Sequence, residues 1–395
     1  MRIGLLLPSI YMSPKRYGEM IFAPRDLAID LADGLVSEGH EVYFFTTPDT
    51  PTKAKIISGD PNLLGKNMIE EKMRGYTERA KWSSFFGLKR NYEIDLTSRC
   101  YKMAKVEKFD IIHSYHDTMA HFFDTLSLVP TVYTLHDPLP IEENGLVYWL
   151  LKKFKDHPYV SISNSFRHHK DLKLNFIDTV YHGVKSQHFP VYKEASDYFL
   201  FMGRLIPEKG LHHAISACLA VNNRLEIGTE FPDATHESDY FVNSVKPYLG
   251  NKLIGKPGMV NGRDKFLLYG GAQALLFPIE WEEPFGMVMI EAMACGTPVI
   301  AFARGAVSEI VIDGVTGFLV NSDSNHRTGD YLIKEVGEKG LIEALKKLQS
   351  LAPFEYKKMR ENSRLHVEKN FSIRTFVGGY EKVYQKVIKM KKASR

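Results

Sequence analysis

Trp281-Glu282-Glu283-Pro284-Phe285-Gly286-Met287-Val288-Met289-Ile290-Glu291-Ala292-Met293-Ala294 follows a short apolar run, Ala274-Leu275-Leu276-Phe277. The run reads as a buried strand that Pro278 ends, and Pro284 and Gly286 then punctuate a loop opening a helix of good formers. Pro284 suits a first helical turn, where its missing N–H costs nothing. Gly286 lets a ligand approach amides that have no intrahelical partner, so the stretch favours an anion. Glu283 precedes the helix and Glu291 lies about two turns into it, a separation of up to roughly 12 Å along the axis. A glycoside hydrolase needs its two carboxyls about 5 to 9.5 Å apart across one bond. This spacing argues against that chemistry and suits an elongated ligand. Taken alone, Glu291 is a helix-surface carboxylate and Glu283 an acid favoured by a helix N-terminus.

Outward from this stretch, 395 residues are too many for one core and fit two domains. A net charge of +4 with no long basic block gives no sign of a nucleic-acid partner. Cys100, Cys218 and Cys295 stand far apart without a CxxC spacing, which fits reduced thiols in the cytoplasm. No apolar run reaches the roughly 20 residues that span a bilayer. The protein is expected to be soluble, or at most to rest against a membrane surface.

The first half repeats strand then helix, the mark of a parallel sheet covered by helices. Strands are expected over residues 3–7, 42–46, 110–113, 131–134, 159–163 and 178–181. A helix over 26–38 carries Leu27, Leu31 and Leu35 on one face, and Gly39-His40 closes it. Ligands of such sheets sit beyond the carboxyl ends of the strands, where residues 8–25 form one loop and Thr134-Leu135-His136-Asp137 another. His113, His116 and Asp117 have a helical spacing, but His113 stands at a strand end and no third ligand of proper spacing follows, so no metal is assigned. Residues 50–95 are the least legible; Trp82, Phe85 and Phe86 there read as a small satellite core, with an acceptor-side flap as the alternative.

A polar linker is expected over 185–196, and a second domain opens on Tyr198-Phe199-Leu200-Phe201-Met202. It runs into Gly203-Arg204-Leu205-Ile206-Pro207-Glu208-Lys209-Gly210 and a helix. A glycine-flanked loop at a helix N-terminus is an anion site, and Arg204 and Lys209 add two charges, so a diphosphate fits there. Further strands are expected at 225–228, 253–256, 299–302 and 317–320, and a helix at 264–273. Residues 372–389 space Phe376, Tyr380, Val383, Tyr384 and Val387 along one helical face.

These strings together resemble the family 4 retaining glycosyltransferases of the GT-B fold, across nearly the whole chain and most closely between Tyr198 and Val320. Glu-Pro-Phe-Gly inside Glu-x7-Glu, Gly-Arg-Leu-x3-Lys-Gly, Thr-x-His-Asp, Gly39-His40-Glu41-Val42 and Gly296-Thr297-Pro298 carry the likeness. The resemblance implies two Rossmann-like α/β domains with parallel sheets facing across a cleft: an acceptor domain over 1–190, rejoined by a helix at 374–395, and a donor domain over 191–373. It implies that Arg204 and Lys209 bind the nucleotide diphosphate and stabilise it as a leaving group. Glu283 would touch the transferred sugar, Glu291 would hold the ribose, and His136 would lie beside the reacting sugar. Gly203, Phe285, Gly286 and Met287 complete the donor site. No cofactor is implied. Without an Asp-x-Asp motif, metal-independent hexosyl transfer is expected, with UDP-sugars placed first as donors and GDP-mannose second. The acceptor and the oligomeric state are not legible.

Two departures stand out. Counting back from Gly39-His40 places Phe22-Ala23 where the family has paired glycines near the phosphates; either Gly18 takes over through a shifted loop, or Phe22 and Pro24 reshape the acceptor pocket. The usual Gly-Gly before Glu309 is here Gly305-Ala306. An epimerase or a phosphorylase shares the two-domain layout, the latter with a lysine-bound pyridoxal group. A non-catalytic sugar-nucleotide-binding subunit is the third class, motivated by Phe22-Ala23.

Overall fold

The computed structural model of the protein describes all residues except 18–21, 65–78, 116–118, 141–142, 144, 169–170, 193, 230–237, 261, 326 and 394–395, and all side chains of the rest except those of 17, 23, 64 and 79–88. Gly18, His116, Asp117 and the side chains of Trp82, Phe85 and Phe86 therefore lie outside the described part. The chain forms two compact units. One holds Met1–Ile162, Arg167–Tyr181 and Phe376–Arg395; the other holds Ser163–Phe166 and His182–Thr375. The second unit thus begins ahead of the polar stretch 185–196.

In the first unit β1 (Arg2–Leu6), β2 (Glu41–Phe45), β3 (Lys55–Ile57), β4 (Ile111–Tyr115), β5 (Thr131–Thr134), β6 (Tyr159–Ser161) and β7 (Phe176–Thr179) form one sheet in the order β3-β2-β1-β4-β5-β6-β7. All pairings are parallel. Parallel strands buried on both faces must be apolar almost throughout, which is why residues 3–6 of β1 and 42–45 of β2 read as unbroken runs. Leu6, Phe45, Ile112 and Tyr133 share one core. Helix Ala23–Ser37 buries Leu27, Leu31 and Leu35, and Gly39 follows it at φ +84°, where a β-carbon would be strained. The edge strand β3 is not anticipated by the sequence, because it is short and only half-buried.

The closing helix Ile373–Ala393 buries Phe376, Tyr380, Val383, Tyr384 and Val387. Within the first unit it supplies hydroxyls to β4 and β5: Tyr384 OH meets His113 Nδ1 at 2.8 Å, and Tyr380 OH meets Thr134 Oγ1 at 3.0 Å. Thr134 Oγ1 also lies 2.8 Å from His113 Nε2. His113 is therefore a satisfied core histidine.

Burial holds the imidazoles of His113, His121 and His182 down to about 3, far below the usual 6.5. Above pH 6.5 neither the folded nor the unfolded chain protonates them, and the fold keeps its full stability. Below that value the unfolded chain binds protons that the fold refuses, so stability falls as pH drops from about 6.5 toward 3. The melting temperature should accordingly decline between pH 6.5 and 5, before most carboxylates titrate. A flat profile over that window would contradict these three neutral, buried imidazoles.

The second unit holds β8 (Tyr198–Met202), β9 (Arg224–Thr229), β10 (Gly258–Met259), β11 (Leu275–Phe277), β12 (Val299–Phe302) and β13 (Gly317–Val320), in the order β10-β9-β8-β11-β12-β13 and again parallel. Phe199, Phe201, Leu276 and Ile300 are buried in its core, each contributing about 1.5–3 kcal/mol. The expected strand at 253–256 is reduced to one bridge between Ile254 and Leu225. Asn251 Oδ1 accepts the Leu253 N–H at 2.9 Å and curls the chain, so ladder pairing with β9 resumes only at β10. Helix Gly262–Gly271 replaces the expected 264–273.

Strand order reverses between β1 and β4 in the first sheet and between β8 and β11 in the second. Such a switch point opens a crevice beyond the carboxyl ends of the two strands.

Candidate functional site

In the second unit the loop after β8 carries Gly203, Arg204 and Lys209, and the loop after β11 carries Trp281 and Glu283, so the switch point brings the two motifs together. Lys209 ends a short 3-10 turn, Pro207–Lys209, and Gly210 then takes φ +72° before helix Leu211–Ala220 begins. A β-carbon on Gly210 would sit 1.9 Å from the Pro278 carbonyl oxygen. Glycine at this position is what allows the two loops to touch.

Glu283 is 8% exposed. Its Oε2 accepts from Lys209 Nζ at 2.8 Å and from Trp281 Nε1–H at 2.8 Å. The Lys209 ammonium also lies 4.6 Å from the Trp281 ring centroid, and the exposed Arg204 guanidinium lies 5.9 Å from it on the same ring. An ammonium or guanidinium against an indole face is held by the ring quadrupole. Trp281 thus gathers both cations, a role its sequence position did not announce. The signal was an aromatic two residues ahead of a motif carboxylate.

Glu283 is fixed from behind as well. Gly305, at φ +57°, packs so closely that a β-carbon would lie 2.4 Å from the Glu283 N and O, and the Ala306 N–H donates to the Glu283 carbonyl at 2.9 Å. Ala306 itself has an ordinary φ of −71°. The pair therefore needs glycine at its first position only, which accounts for Gly305-Ala306 in place of Gly-Gly.

Gly286, at φ +93°, caps helix Met287–Ala294. The first amides of that helix have no carbonyl one turn back. Phe285 is buried, its ring 4.8 Å from His182 and 6.1 Å from Phe371, so its side chain anchors the loop. Met287 is partly exposed. Two turns on, Glu291 accepts from Lys265 Nζ at 2.8 Å and from the Tyr269 hydroxyl at 2.8 Å. Burial, and then the Glu291 charge, push the Tyr269 phenol well above its usual range, so it remains a donor. Lys265 and Tyr269 were not singled out from sequence; their spacing of four on one helix face was the available sign. Glu283 and Glu291 are thus held by separate partners.

Beside Trp281, Glu280 accepts from His213 Nε2 at 2.7 Å and stands 3.2 Å from His212 Nε2. Burial, followed by the neighbouring His213, lowers the His212 pKa from its ordinary value. The sequence reading passed over both histidines.

His136 belongs to the first unit. It follows β5 and lines a cavity of about 330 Å³ with Pro8, Tyr11, Phe22 and Asp137, at the carboxyl ends of β1 and β5. Its ring lies 4.4 Å from that of Tyr115. Phe22, standing where paired glycines are expected, sets its ring 5.7 Å from Tyr11 in the same wall.

Comparison with known proteins accords with this geometry. Residues 185–350 match the family Glycosyl transferases group 1, and residues 27–187 match Glycosyltransferase Family 4. An uncharacterised glycosyltransferase of Methanocaldococcus jannaschii is 24% identical over 329 residues, 74% of this chain and 80% of that protein. Among solved structures, sucrose-phosphate synthase from Thermosynechococcus elongatus superposes with a TM-score of 0.70 at 16% identity, covering 99% of this chain and 100% of the other. Anabaena HepE in complex with UDP and glucose gives 0.63 at 16% identity, covering 97% and 99%. The chain belongs to the group 1, family 4 glycosyltransferases and has their GT-B fold.

Proposed function

We propose that the protein transfers a hexose from a nucleotide-diphosphate sugar to an acceptor glycan, lipid or small molecule, with retention at the anomeric carbon and no metal ion in the chemical step. The gathering of Arg204, Lys209 and Glu283 around Trp281 carries this reading. Arg204, Lys209 and the amides at Gly286 and Met287 offset the charge of the departing diphosphate, the task a divalent ion performs elsewhere. A phosphate oxygen draws Lys209 away from Glu283. The freed carboxylate then turns to the sugar hydroxyls, aided by Oε1, which takes no hydrogen bond from the described residues. Glu291, steadied by Lys265 and Tyr269, receives the ribose.

His136 and Phe22 are assigned to the reacting sugar and the acceptor side. UDP-sugars stand first as donors, supported by the UDP of the Anabaena neighbour, and GDP-mannose second.

Neither a nucleophile opposite the leaving group nor a base for an inverting attack is supplied by these motifs. In the proposed step the acceptor oxygen forms its bond to the anomeric carbon as the diphosphate oxygen leaves from the same face. That phosphate oxygen takes the acceptor's proton. An α-linked donor should therefore give an α-linked product, and proton NMR of the first-formed product checks it; a β anomeric coupling would overturn the mechanism.

A further inference from the structure

His212 and His213 open helix Leu211–Ala220, and Glu280 stands in the loop after β11. Their ligand atoms all lie within 4.8 Å of one another, and among the described residues no other set of three His, Cys, Asp or Glu side chains converges in this way. The two Nε2 atoms face a single oxygen, Glu280 Oε1, at 3.2 Å from His212 and 2.7 Å from His213. Tetrahedral zinc, with bonds of about 2.0–2.2 Å to nitrogen and oxygen, spaces its ligand atoms by roughly 3.3 Å. The two imidazole–carboxylate spacings need a shift of about half an ångström or less to reach that value, and the ligand nitrogens of the two histidines stand within 4.8 Å of each other.

The outer faces of the two rings point to the same occupant. His212 Nδ1 lies 3.1 Å from the Tyr240 hydroxyl, which also faces the His212 backbone N–H at 3.3 Å. His213 Nδ1 is buried without a hydrogen-bond partner among the described residues, yet Glu338 Oε2 is 3.7 Å away. With protons on both Nε2 atoms, one carboxylate oxygen must serve two imidazoles while a lone pair on His213 Nδ1 faces the Glu338 carboxylate. A cation between the Nε2 atoms moves both protons to Nδ1. The Tyr240 oxygen and the Glu338 carboxylate can then accept them, the arrangement in which metal-bound histidines are usually braced.

We propose that His212, His213 and Glu280 bind one divalent transition-metal ion, best zinc, with a water at the fourth corner. Two imidazoles and one carboxylate suit zinc, whereas calcium and magnesium favour all-oxygen sets. The ion's effect is mechanical. The Glu280 N–H already donates to the Glu208 carbonyl at 2.8 Å, joining the two loops. The ion replaces the His213–Glu280 hydrogen bond with a metal-bridged tie from the helix that follows Lys209 to the loop that carries Trp281 and Glu283. It is given no part in the transfer step, and the proposal does not rest on the donor assignment.

Full-length protein, freed of metal by a chelator and then titrated with zinc chloride against a chromophoric chelator, should take up one tightly held equivalent. Glu280→Gln and His213→Ala should each weaken it more than about 100-fold, and Glu338→Gln by about 10- to 100-fold. Cobalt in place of zinc should give the visible bands of a four-coordinate site in wild-type protein and lose them in Glu280→Gln. Zinc should raise the melting temperature of wild-type protein but not that of folded Glu280→Gln, which separates lost binding from lost folding. No stoichiometric uptake by wild-type protein, or uptake unchanged in the Glu280 and His213 variants, would overturn the site whatever nucleotide the protein binds.

Discussion

Alanine at Lys209 or at Arg204 should lower sugar-transfer turnover at least about 100-fold with the fold retained, the scale seen when one preorganised charge-stabilising group is removed. Negative charge grows on the diphosphate as the glycosidic bond breaks, so the loss should fall on kcat and not on KM alone. The two variants differ in what they leave behind. Arg204 is exposed and stacked on Trp281, so its removal disturbs little else. Lys209 is the cation paired with the nearly buried Glu283, and its removal leaves that carboxylate with the Trp281 N–H as its remaining hydrogen bond among the described residues. Some loss of melting temperature is therefore expected for Lys209→Ala and little for Arg204→Ala. Near-normal turnover in both variants would remove the proposed diphosphate site.

The second large effect separates the two glutamates. Glu283→Ala should cut transfer about 100-fold while binding of the bare nucleotide diphosphate holds steady or tightens, because the carboxylate that competes for Lys209 is gone. Glu291→Ala should weaken both. Hydrogen bonds to a charged group contribute about 1.5–3 kcal/mol, and each 1.4 kcal/mol is tenfold in affinity, so nucleotide-diphosphate binding should fall roughly 10- to 100-fold. Isothermal titration with UDP and GDP beside initial rates with the matching sugars reads both quantities. An equal loss of nucleotide affinity in the two variants would refute the division of roles.

The motifs that hold charge were legible in the sequence because each is local: Gly203 to Gly210 and Trp281 to Glu291 are each one loop and one helix start. Buried parallel strands were legible for a related reason, since Tyr198–Met202 and Val299–Phe302 can only be apolar throughout. What failed to show were relations across distance. Trp281 bridging Arg204 and Lys209, or Lys265 and Tyr269 flanking Glu291, depend on which strands and helices become neighbours. His212 and His213 meet Glu280 only because β8 lies beside β11. The pattern of one strand says nothing of its neighbour's side chains. Short, half-exposed pairings such as β3 fail differently, since three residues leave too little alternation to see.

The hydroxyls that Tyr380 and Tyr384 bring to Thr134 and His113 also set a timetable for synthesis. On the ribosome the first sheet emerges long before Phe376–Arg395, the piece that completes its unit. Until then His113 and Thr134 have each other but lack the two tyrosine hydroxyls, while nearly all of the second unit, which ends at Thr375, has already emerged. The half of the molecule translated first is thus the half finished last.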